Sequence, residues 1–155
     1  MAKELSVGDK APAFTLPTDG DGKFALRKAE GPVVLYFYPK DDTPGCTTEG
    51  IEFTAALPAF EKCGVTVVGA SKDTVAKHDK FKAKHGLGIT LISDEEGSLC
   101  EKYGVWVEKK NYGRTYMGIE RSTFLIDSKG KIVQIWRKVR VKGHVEKVLE
   151  AAQTL

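Results

Sequence analysis

Residues 33–48 read VVLYFYPKDDTPGCTT, and this stretch decides the fold of the chain. Its first six residues are apolar or aromatic and carry no charge. Such a short, continuously apolar run is typical of a strand buried on both faces, as in the centre of a parallel sheet. A loop bounded by prolines follows, and a helical pattern begins near Cys46. Unpaired N–H groups and the positive end of the helix dipole favour an anion there, so we expect Cys46 to react as a thiolate.

Length and composition indicate one globular domain. The chain has 155 residues, of which 41% are hydrophobic and 29% charged. This is enough for one core and too little for two comfortable domains. Basic residues number 24 against 21 acidic ones, and the resulting net charge of +3 is too small to indicate a nucleic-acid or membrane partner.

The cysteine content points to a reducing compartment. Three cysteines without a C-x-x-C pair do not form the framework of a disulfide-rich secreted domain. The first eight residues lack the apolar core of a signal peptide, and no uncharged stretch approaches the ~20 residues of a membrane-spanning helix. We therefore expect a cytoplasmic protein in which a reactive thiol stays available.

Patterns on either side of this stretch predict the other elements. Two strand-like pieces at 13–16 and 23–26, joined by a Gly/Asp turn, predict an N-terminal hairpin. Pro58 lies late in the Cys46 helix, so we expect a bend near Leu57 and a second short piece ending at Gly64. The middle of the chain predicts a strand at 65–70, a helix capped by Ser71 or Asp73 that runs to Gly86, and a strand at 89–92. A short helix with Leu99 and Cys100 and a long ordered loop over 104–120 follow. The chain then predicts a hairpin of 122–126 with 131–136 and a last helix with Val145 and Val148 on its apolar face.

This order of elements predicts an α/β fold. An N-terminal hairpin followed by βαβα and ββα gives a central mixed β-sheet flanked by helices, close to a thioredoxin-like fold with an N-terminal β-hairpin extension. The fold class alone says little about function. Function must therefore be argued from the residues around Cys46.

The spacing of Pro39, Thr43 and Cys46 resembles the Pro-x-x-x-Thr-x-x-Cys active-site motif of peroxiredoxins. The run TPGCTTE at 43–49 is similar to the peroxiredoxin Q branch, also called bacterioferritin comigratory protein. Three further stretches in the same order extend the resemblance over nearly the whole chain: GDKAPAF at 8–14, YGVW at 103–106 and RSTFLID at 121–127. The resemblance implies one AhpC/TSA-type domain over 1–155. It also implies a thiol-dependent peroxidase that reduces hydrogen peroxide and organic hydroperoxides through a cysteine sulfenic acid.

The resemblance also implies a role for individual residues. Peroxide cleavage requires a thiolate, hydrogen-bond donors at the attacked oxygen and a positive group for the leaving oxygen. By similarity, Cys46 supplies the sulfur, Thr43 Oγ1 and the Cys46 amide donate, and Arg121 supplies a fixed positive charge. The resemblance also implies that the supporting residues of the active-site loop are Pro39, Pro44, Gly45 and Glu49.

Neither a cofactor nor a metal is expected. The sequence has no nucleotide-binding or serine-hydrolase motif. His78 and His85 have similar helical phases among several lysines, a pattern that indicates a solvated face rather than metal ligands.

The cysteine that would reduce the sulfenic acid is not evident. Many peroxiredoxin Q proteins carry a resolving cysteine five residues after the reactive one, where this chain has Ile51; another branch carries it where this chain has Lys82. Cys63 lies 17 residues after Cys46, about 25 Å along an unbroken helix, whereas a disulfide needs Cα atoms within ~7 Å. Cys100 is a weak candidate. We therefore expect a one-cysteine enzyme that takes electrons from an external small thiol or a thioredoxin-type protein.

Two alternatives belong to other functional classes. A thioredoxin-like disulfide reductase is disfavoured because the C-x-x-C motif is missing. A non-enzymatic redox sensor that relays oxidation to a partner protein would use the same Cys46 chemistry and stays open. Analogy with relatives indicates a monomer or weak homodimer.

Overall fold

A computed structural model describes residues 4–155, and within them the chain forms nine strands and four α-helices. The strands are β1 (Thr15–Thr18), β2 (Gly22–Ala25), β3 (Val33–Phe37), β4 (Thr66–Ser71), β5 (Thr90–Ser93), β6 (Trp106–Asn111), β7 (Arg114–Ile119), β8 (Ser122–Ile126) and β9 (Ile132–Trp136). The helices are α1 (Pro44–Lys62), α2 (Val75–His85), α3 (Ser98–Lys102) and α4 (His144–Gln153).

Seven strands form one mixed sheet in the order β2-β1-β5-β4-β3-β8-β9. Strand β4 lies parallel to both β3 and β5, whereas β8 pairs antiparallel with β3 and β9 antiparallel with β8. The predicted N-terminal hairpin is present as β1 and β2, shifted by two residues at its start, and β1 joins the sheet beside β5. The predicted α/β class, mixed sheet and hairpin extension are confirmed.

Strand β3 divides the interior into two cores. All five of its residues are at most 1% exposed, as expected for a central strand covered on both faces. Leu35 and Phe37 pack into one core, and Val34 and Tyr36 into the other. Because side chains alternate along a strand, the two cores lie on opposite faces of the sheet.

Helix α1 runs through Pro58 as one element, so the predicted second piece is wrong. A proline inside a helix removes one N–H donor. Here Phe53 and Phe60, on either side of that gap, are fully buried in the core beneath the helix. Burial of these two rings holds both halves of α1 against the sheet, which outweighs the lost hydrogen bond.

Two further sequence predictions are wrong in detail. The predicted loop over 104–120 contains the hairpin of β6 and β7, whose turn places Tyr112 and Gly113 at φ 51° and 75°. Two consecutive positive φ angles are typical of a tight two-residue hairpin turn. Helix α2 is capped by the side chain of Thr74, which accepts from the Lys77 amide, and not by Ser71 or Asp73.

Within residues 4–155, no helix is long and apolar enough to cross a lipid bilayer.

Gly69→Ala tests the packing of β4 against β3. A Cβ at residue 69 would lie 2.7 Å from Cζ of Tyr36, its neighbour across the sheet. The ring cannot withdraw, because it stacks on Phe53 with centroids 4.5 Å apart. We expect the variant to lose about 1–3 kcal/mol of unfolding free energy, the usual cost of an overpacked core, measured by urea denaturation.

Gly88→Ala is the matched control for that variant. The added Cβ meets a terminal methyl of Leu57 at 3.1 Å, and this flexible side chain can shift at little cost. Equal losses in the two variants would contradict the proposed packing of Gly69.

Candidate active site

Cys46 lies in the first turn of α1, at the carboxyl end of β3, and is only 2% exposed. Thr43 is the N-cap residue and Pro44 the first helical residue, a position that tolerates proline because its N–H would be unpaired anyway. Thr43 O accepts from the Thr47 amide. Among the described residues, no group accepts a hydrogen bond from the Gly45 or Cys46 amide. These two N–H groups are therefore available to an anion beside the sulfur.

Arg121 reaches the sulfur from the position just before the neighbouring strand β8. Phe37 at the end of β3 pairs with Ser122 at the start of β8, so the residue before Ser122 stands beside the start of α1. Arg121 Nη2 donates to Cys46 Sγ at 3.3 Å. A Cβ on Gly45 would lie 3.2 Å from that same Nη2, so the glycine gives the guanidinium room to approach.

Glu49 holds the other side of the guanidinium. Arg121 Nη1 donates to Glu49 Oε1 at 2.6 Å, and the carboxylate is fully buried. Its Oε2 has no hydrogen-bond partner within the described part of the chain. Burial raises the pKa of Glu49 to about 7 even though Arg121 pulls it down. Burial lowers the pKa of Arg121, but the charges of Glu49 and Cys46 outweigh it and the net pKa is raised.

The other predicted loop residues lie in the loop before Cys46 and at the start of α1. Thr43 Oγ1 donates to the Lys40 carbonyl at 2.8 Å, so the single hydroxyl hydrogen is in use and the oxygen lone pairs are free. Pro39 and Pro44 are exposed on either side of the loop. The structure thus brings Cys46 and Glu49 each into contact with Arg121 and places Thr43 three residues before Cys46.

The two remaining cysteines are separated from Cys46. Cys100 is fully buried in the core that contains Phe37, whereas Cys46 lies in the core that contains Tyr36. These two cores are on opposite faces of the sheet. Burial raises the pKa of the Cys100 thiol. Cys63 follows the last residue of α1 and is half-buried.

Sequence reasoning missed a buried polar cluster behind the active-site loop. His78, assigned to a solvated face, is 0% exposed. It lies between Asp41 and the Ile92 carbonyl, with Asp73 nearby. The prediction of a solvated face for His78 is wrong because α2 turns this side chain inward beside Phe81, which is also buried. The nearest sequence signal is Phe81 itself, which lies three residues later and on the same helical face.

The donor atoms of Asp41, Asp73 and His78 lie within 4.8 Å of one another, close enough to hold a cation. They are already engaged, however: the Asp41 carboxylate with His78 and Tyr38, and the Asp73 carboxylate with Ser71 and the Asp41 amide. The cluster is therefore a hydrogen-bond network in which both Asp41 oxygens, both His78 ring nitrogens and Asp73 Oδ2 already have partners.

Sequence reasoning also missed Lys109, because β6 was predicted as loop. Burial lowers the pKa of the Lys109 ammonium, and the charge of Arg121 lowers it further while Cys46 and Glu120 oppose. The β6–β7 hairpin thus brings a second cation into the electrostatic field of Cys46 and Arg121.

Comparison with known proteins gives consistent relatives. The AhpC/TSA family model matches residues 7–135. A putative peroxiredoxin Bcp of Coxiella burnetii is 51% identical, covering 94% of this chain and 97% of the relative. Peroxiredoxin Bcp of Bacillus subtilis is 48% identical, covering 97% and 95%.

Solved structures agree with this. A cysteine-to-serine mutant of Xylella fastidiosa PrxQ superposes with a TM-score of 0.93 at 42% identity, covering 99% of this chain and 98% of that one. The bacterioferritin comigratory protein of Xanthomonas campestris superposes with a TM-score of 0.87 at 47% identity, covering 91% of this chain and 90% of that one. Its structures were solved for insight into its alkyl peroxide reduction activity.

Glu49→Gln tests the buried carboxyl. The folded protein binds the Glu49 proton more tightly than the unfolded chain, because burial raises the pKa from its ordinary 4.5 to about 7. Wild-type stability should therefore fall by about 3 kcal/mol as the pH rises through that window. Urea denaturation at both ends of the window should show this loss in the wild type and not in the variant.

The exposed Glu61 of the same helix provides the control. Glu61→Gln should keep the pH dependence of wild-type stability. If Glu49→Gln also kept that pH dependence, the assignment of the buried carboxyl would be refuted.

Proposed function

This chain belongs to the AhpC/TSA family, in its peroxiredoxin Q branch, and on that premise we propose that Cys46 is the peroxidatic cysteine of a one-cysteine thiol-dependent peroxidase. The contact that carries the proposal is the guanidinium of Arg121, which touches both Cys46 Sγ and Glu49 Oε1. We propose hydrogen peroxide and organic hydroperoxides as substrates, in line with the alkyl peroxide reduction described for the Xanthomonas relative.

The proposed reaction balances without a cofactor. The Cys46 thiolate attacks the terminal oxygen of ROOH, so an S–O bond forms as the O–O bond breaks. Sulfur is oxidised to a sulfenic acid, and the leaving RO⁻ takes from solvent a proton equivalent to the one that the Cys46 thiol released on ionising, which gives ROH. Arg121 and the free amides of Gly45 and Cys46 act on the oxygens where negative charge develops.

Thr43 orients the peroxide in this scheme. Its hydroxyl donates to the Lys40 carbonyl, and its oxygen can therefore accept the O–H hydrogen of ROOH. This changes the sequence-based proposal that Thr43 donates at the attacked oxygen. Donation there falls to the amides and to Arg121, while Thr43 fixes the direction of the peroxide O–H.

Magnitudes indicate which groups matter most. An ordinary free thiol is roughly 3% ionised at pH 7, so complete ionisation raises the reactive fraction only ~30-fold. That is worth ~2 kcal/mol. A larger acceleration has to come from groups that act on the O–O bond, and Arg121 is the group in contact with the sulfur.

An external thiol completes the proposed cycle. The sheet lies between Cys46 and Cys100, and Cys63 lies at the far end of α1, about 25 Å away. An external thiol would attack the sulfenic sulfur and release water, and a second thiol would then free Cys46 from the mixed disulfide. We propose a thioredoxin-type protein or a small thiol as reductant, one domain over 1–155, a monomer or weak homodimer, and a reducing cytoplasm as the compartment.

The redox-sensor alternative uses the same first step and differs in the second. Steady turnover with a small thiol supports the enzyme. A single turnover that ends in a mixed disulfide with one partner protein supports the sensor.

Arg121→Ala tests the catalytic assignment. We expect the second-order rate constant of Cys46 oxidation, followed by stopped-flow tryptophan fluorescence, to fall ~10²–10³-fold, the usual cost of losing one such donor. Ultraviolet absorbance of the thiolate should be recorded in parallel. A fall that matched the loss of thiolate would contradict the assignment, because Arg121 would then act only through ionisation. Arg121→Lys should retain part of the rate through its charge, and the exposed Arg140 provides the control Arg140→Ala, which should keep the wild-type rate.

One equivalent of hydrogen peroxide tests the one-cysteine proposal. With a sulfenic-acid trap present, peptide masses should show label on Cys46 alone, with Cys63 and Cys100 reduced. A disulfide peptide joining Cys46 to either of the others would show that the chain carries its own resolving cysteine.

A further inference from the structure

We propose that Asp41 and His78 are positioning residues that share one proton, and that loss of this proton releases the loop which holds Thr43 in place before Cys46. The inference rests on the proposed peroxidase function for its catalytic consequence. The proton-sharing contact itself rests on hydrogen-bond geometry. We call the Asp41–His78 pair the latch.

The hydrogen positions in the latch follow from its partners. His78 Nε2 lies 2.9 Å from the Ile92 carbonyl, and a carbonyl oxygen can only accept, so Nε2 carries a hydrogen. His78 Nδ1 lies 2.6 Å from Asp41 Oδ2. The other Asp41 oxygen, Oδ1, already accepts from the Tyr38 hydroxyl. If His78 were neutral and Asp41 ionised, one ring nitrogen would present a lone pair to an acceptor: Nδ1 to Asp41 Oδ2 in one tautomer, or Nε2 to the Ile92 carbonyl in the other.

One additional proton removes this conflict. It gives either an imidazolium beside a carboxylate or a neutral imidazole beside a carboxylic acid, and both place a hydrogen between Nδ1 and Oδ2. The side chain of His78 is completely buried, so water cannot bridge the two acceptors in place of the proton. The observed geometry therefore belongs to the protonated latch.

Titratable groups face the latch from several elements. Tyr38 contacts it from the end of β3, and Asp73 comes from the connection between β4 and α2. On the solvent side, a recess of about 340 Å³ borders Asp41 and Asp73. The other residues that line it are Lys40, Asp42, Lys77, Lys80, Phe81 and Lys84.

The balance of these charges favours the protonated form. Burial lowers the pKa of His78, but the hydrogen bond and the charge of Asp41, with a smaller effect of Asp73, outweigh burial and raise the pKa above its ordinary value. The latch should consequently lose its proton only above the ordinary histidine range.

The latch bears directly on the active-site loop. The Asp41 amide donates to Asp73 Oδ2 at 2.8 Å, so both the backbone and the side chain of Asp41 are bound to the α2 side of the molecule. The next residue, Asp42, has a left-handed φ of 60°, which is costly for a residue with a side chain. Lys84 and His85 hold its carboxylate at 2.8 Å. Helix α2 thus keeps a strained loop in one conformation.

Thr43 depends on that conformation. Its hydroxyl donates to the carbonyl of Lys40, the residue immediately before Asp41. When the latch loses its proton, His78 can no longer donate to both Asp41 and Ile92, and either Nδ1 repels Asp41 Oδ2 or Nε2 repels the Ile92 carbonyl. In both cases the His78–Asp41 pair shifts, and the adjoining Lys40 carbonyl moves with Asp41. The Thr43 hydroxyl then loses the orientation that it needs to receive the peroxide.

Asp41→Asn separates the proton from the hydrogen bonds. The Asn oxygen can accept from the Tyr38 hydroxyl, its NH₂ can donate to neutral His78 Nδ1, and His78 Nε2 can still donate to Ile92. This variant keeps every contact of the latch without the extra proton. The wild-type rate constant for Cys46 oxidation should fall about 10- to 100-fold at alkaline pH, the order of loss that a ~1 Å misplacement causes. The Asp41→Asn profile should stay flat over the same range.

Two variants serve as comparisons. Asp42→Asn makes the same chemical change at the next residue, in an exposed ion pair, and should retain the alkaline fall of the wild type. His78→Gln places an amide where Nε2 was and leaves Asp41 Oδ2 without its partner, so it should be slow at every pH. Parallel alkaline falls in wild type and Asp41→Asn, or a wild type without any fall, would overturn the proposal.

Amide hydrogen exchange tests the latch by a measurement that does not depend on peroxidase activity. Protection of the Asp41 amide should decrease at alkaline pH in the wild type, beyond the ordinary base catalysis of exchange, and should not do so in Asp41→Asn. If the exchange result holds while neither protein reduces peroxide, the latch stands and the proposed function fails. If peroxide is reduced but protection of the residue-41 amide depends on pH in the same way in wild type and Asp41→Asn, the latch is refuted and the proposed function stands.

Discussion

The interaction on which the active site depends is the double contact of the Arg121 guanidinium with Cys46 and Glu49. Burial of a carboxylate and a guanidinium is costly unless each neutralises the other in good geometry. Glu49 Oε1 and Cys46 Sγ engage two different nitrogens of one planar group, which only arginine can offer in this form. The same arrangement constrains the backbone, because Gly45 leaves the space through which the guanidinium approaches.

The sheet supplies the frame for that contact. The loop over 38–43 joins the end of β3 to the start of α1, and the antiparallel strand β8 starts beside the end of β3. The sulfur and the guanidinium therefore meet at the carboxyl end of β3. Tyr36 of β3 stacks on Phe53 of α1 and closes over Gly69 of β4. A displacement in this packing would move the first turn of α1, and with it Cys46, relative to Arg121.

The sheet also separates the thiols. Helices α1 and α3 pack against opposite faces of the sheet, which puts Cys46 and Cys100 into different cores, and the length of α1 places Cys63 at the other end of that helix. An external reductant is therefore the simplest source of electrons for the proposed cycle. The loop before Cys46 is held from the α2 side by the buried His78 and by Lys84 and His85, so α2 supports the conformation of this loop.

The sequence by itself determined the central strand, a helix that begins close to Cys46, the mixed sheet and the family, because these follow from local hydrophobic patterns and from a motif contiguous in the chain. It also indicated Arg121, through resemblance. Only the tertiary structure decided that Pro58 is accommodated, that 106–119 form a hairpin and that His78 points inward, because each outcome depends on contacts between residues distant in sequence. The periodicity of α2 could not reveal the partner of His78, since Asp41 lies 37 positions earlier and is brought to it by the order of the strands. Tertiary packing likewise decided which cysteines share a core with Cys46, because a sequence does not record the face of the sheet on which a later helix packs.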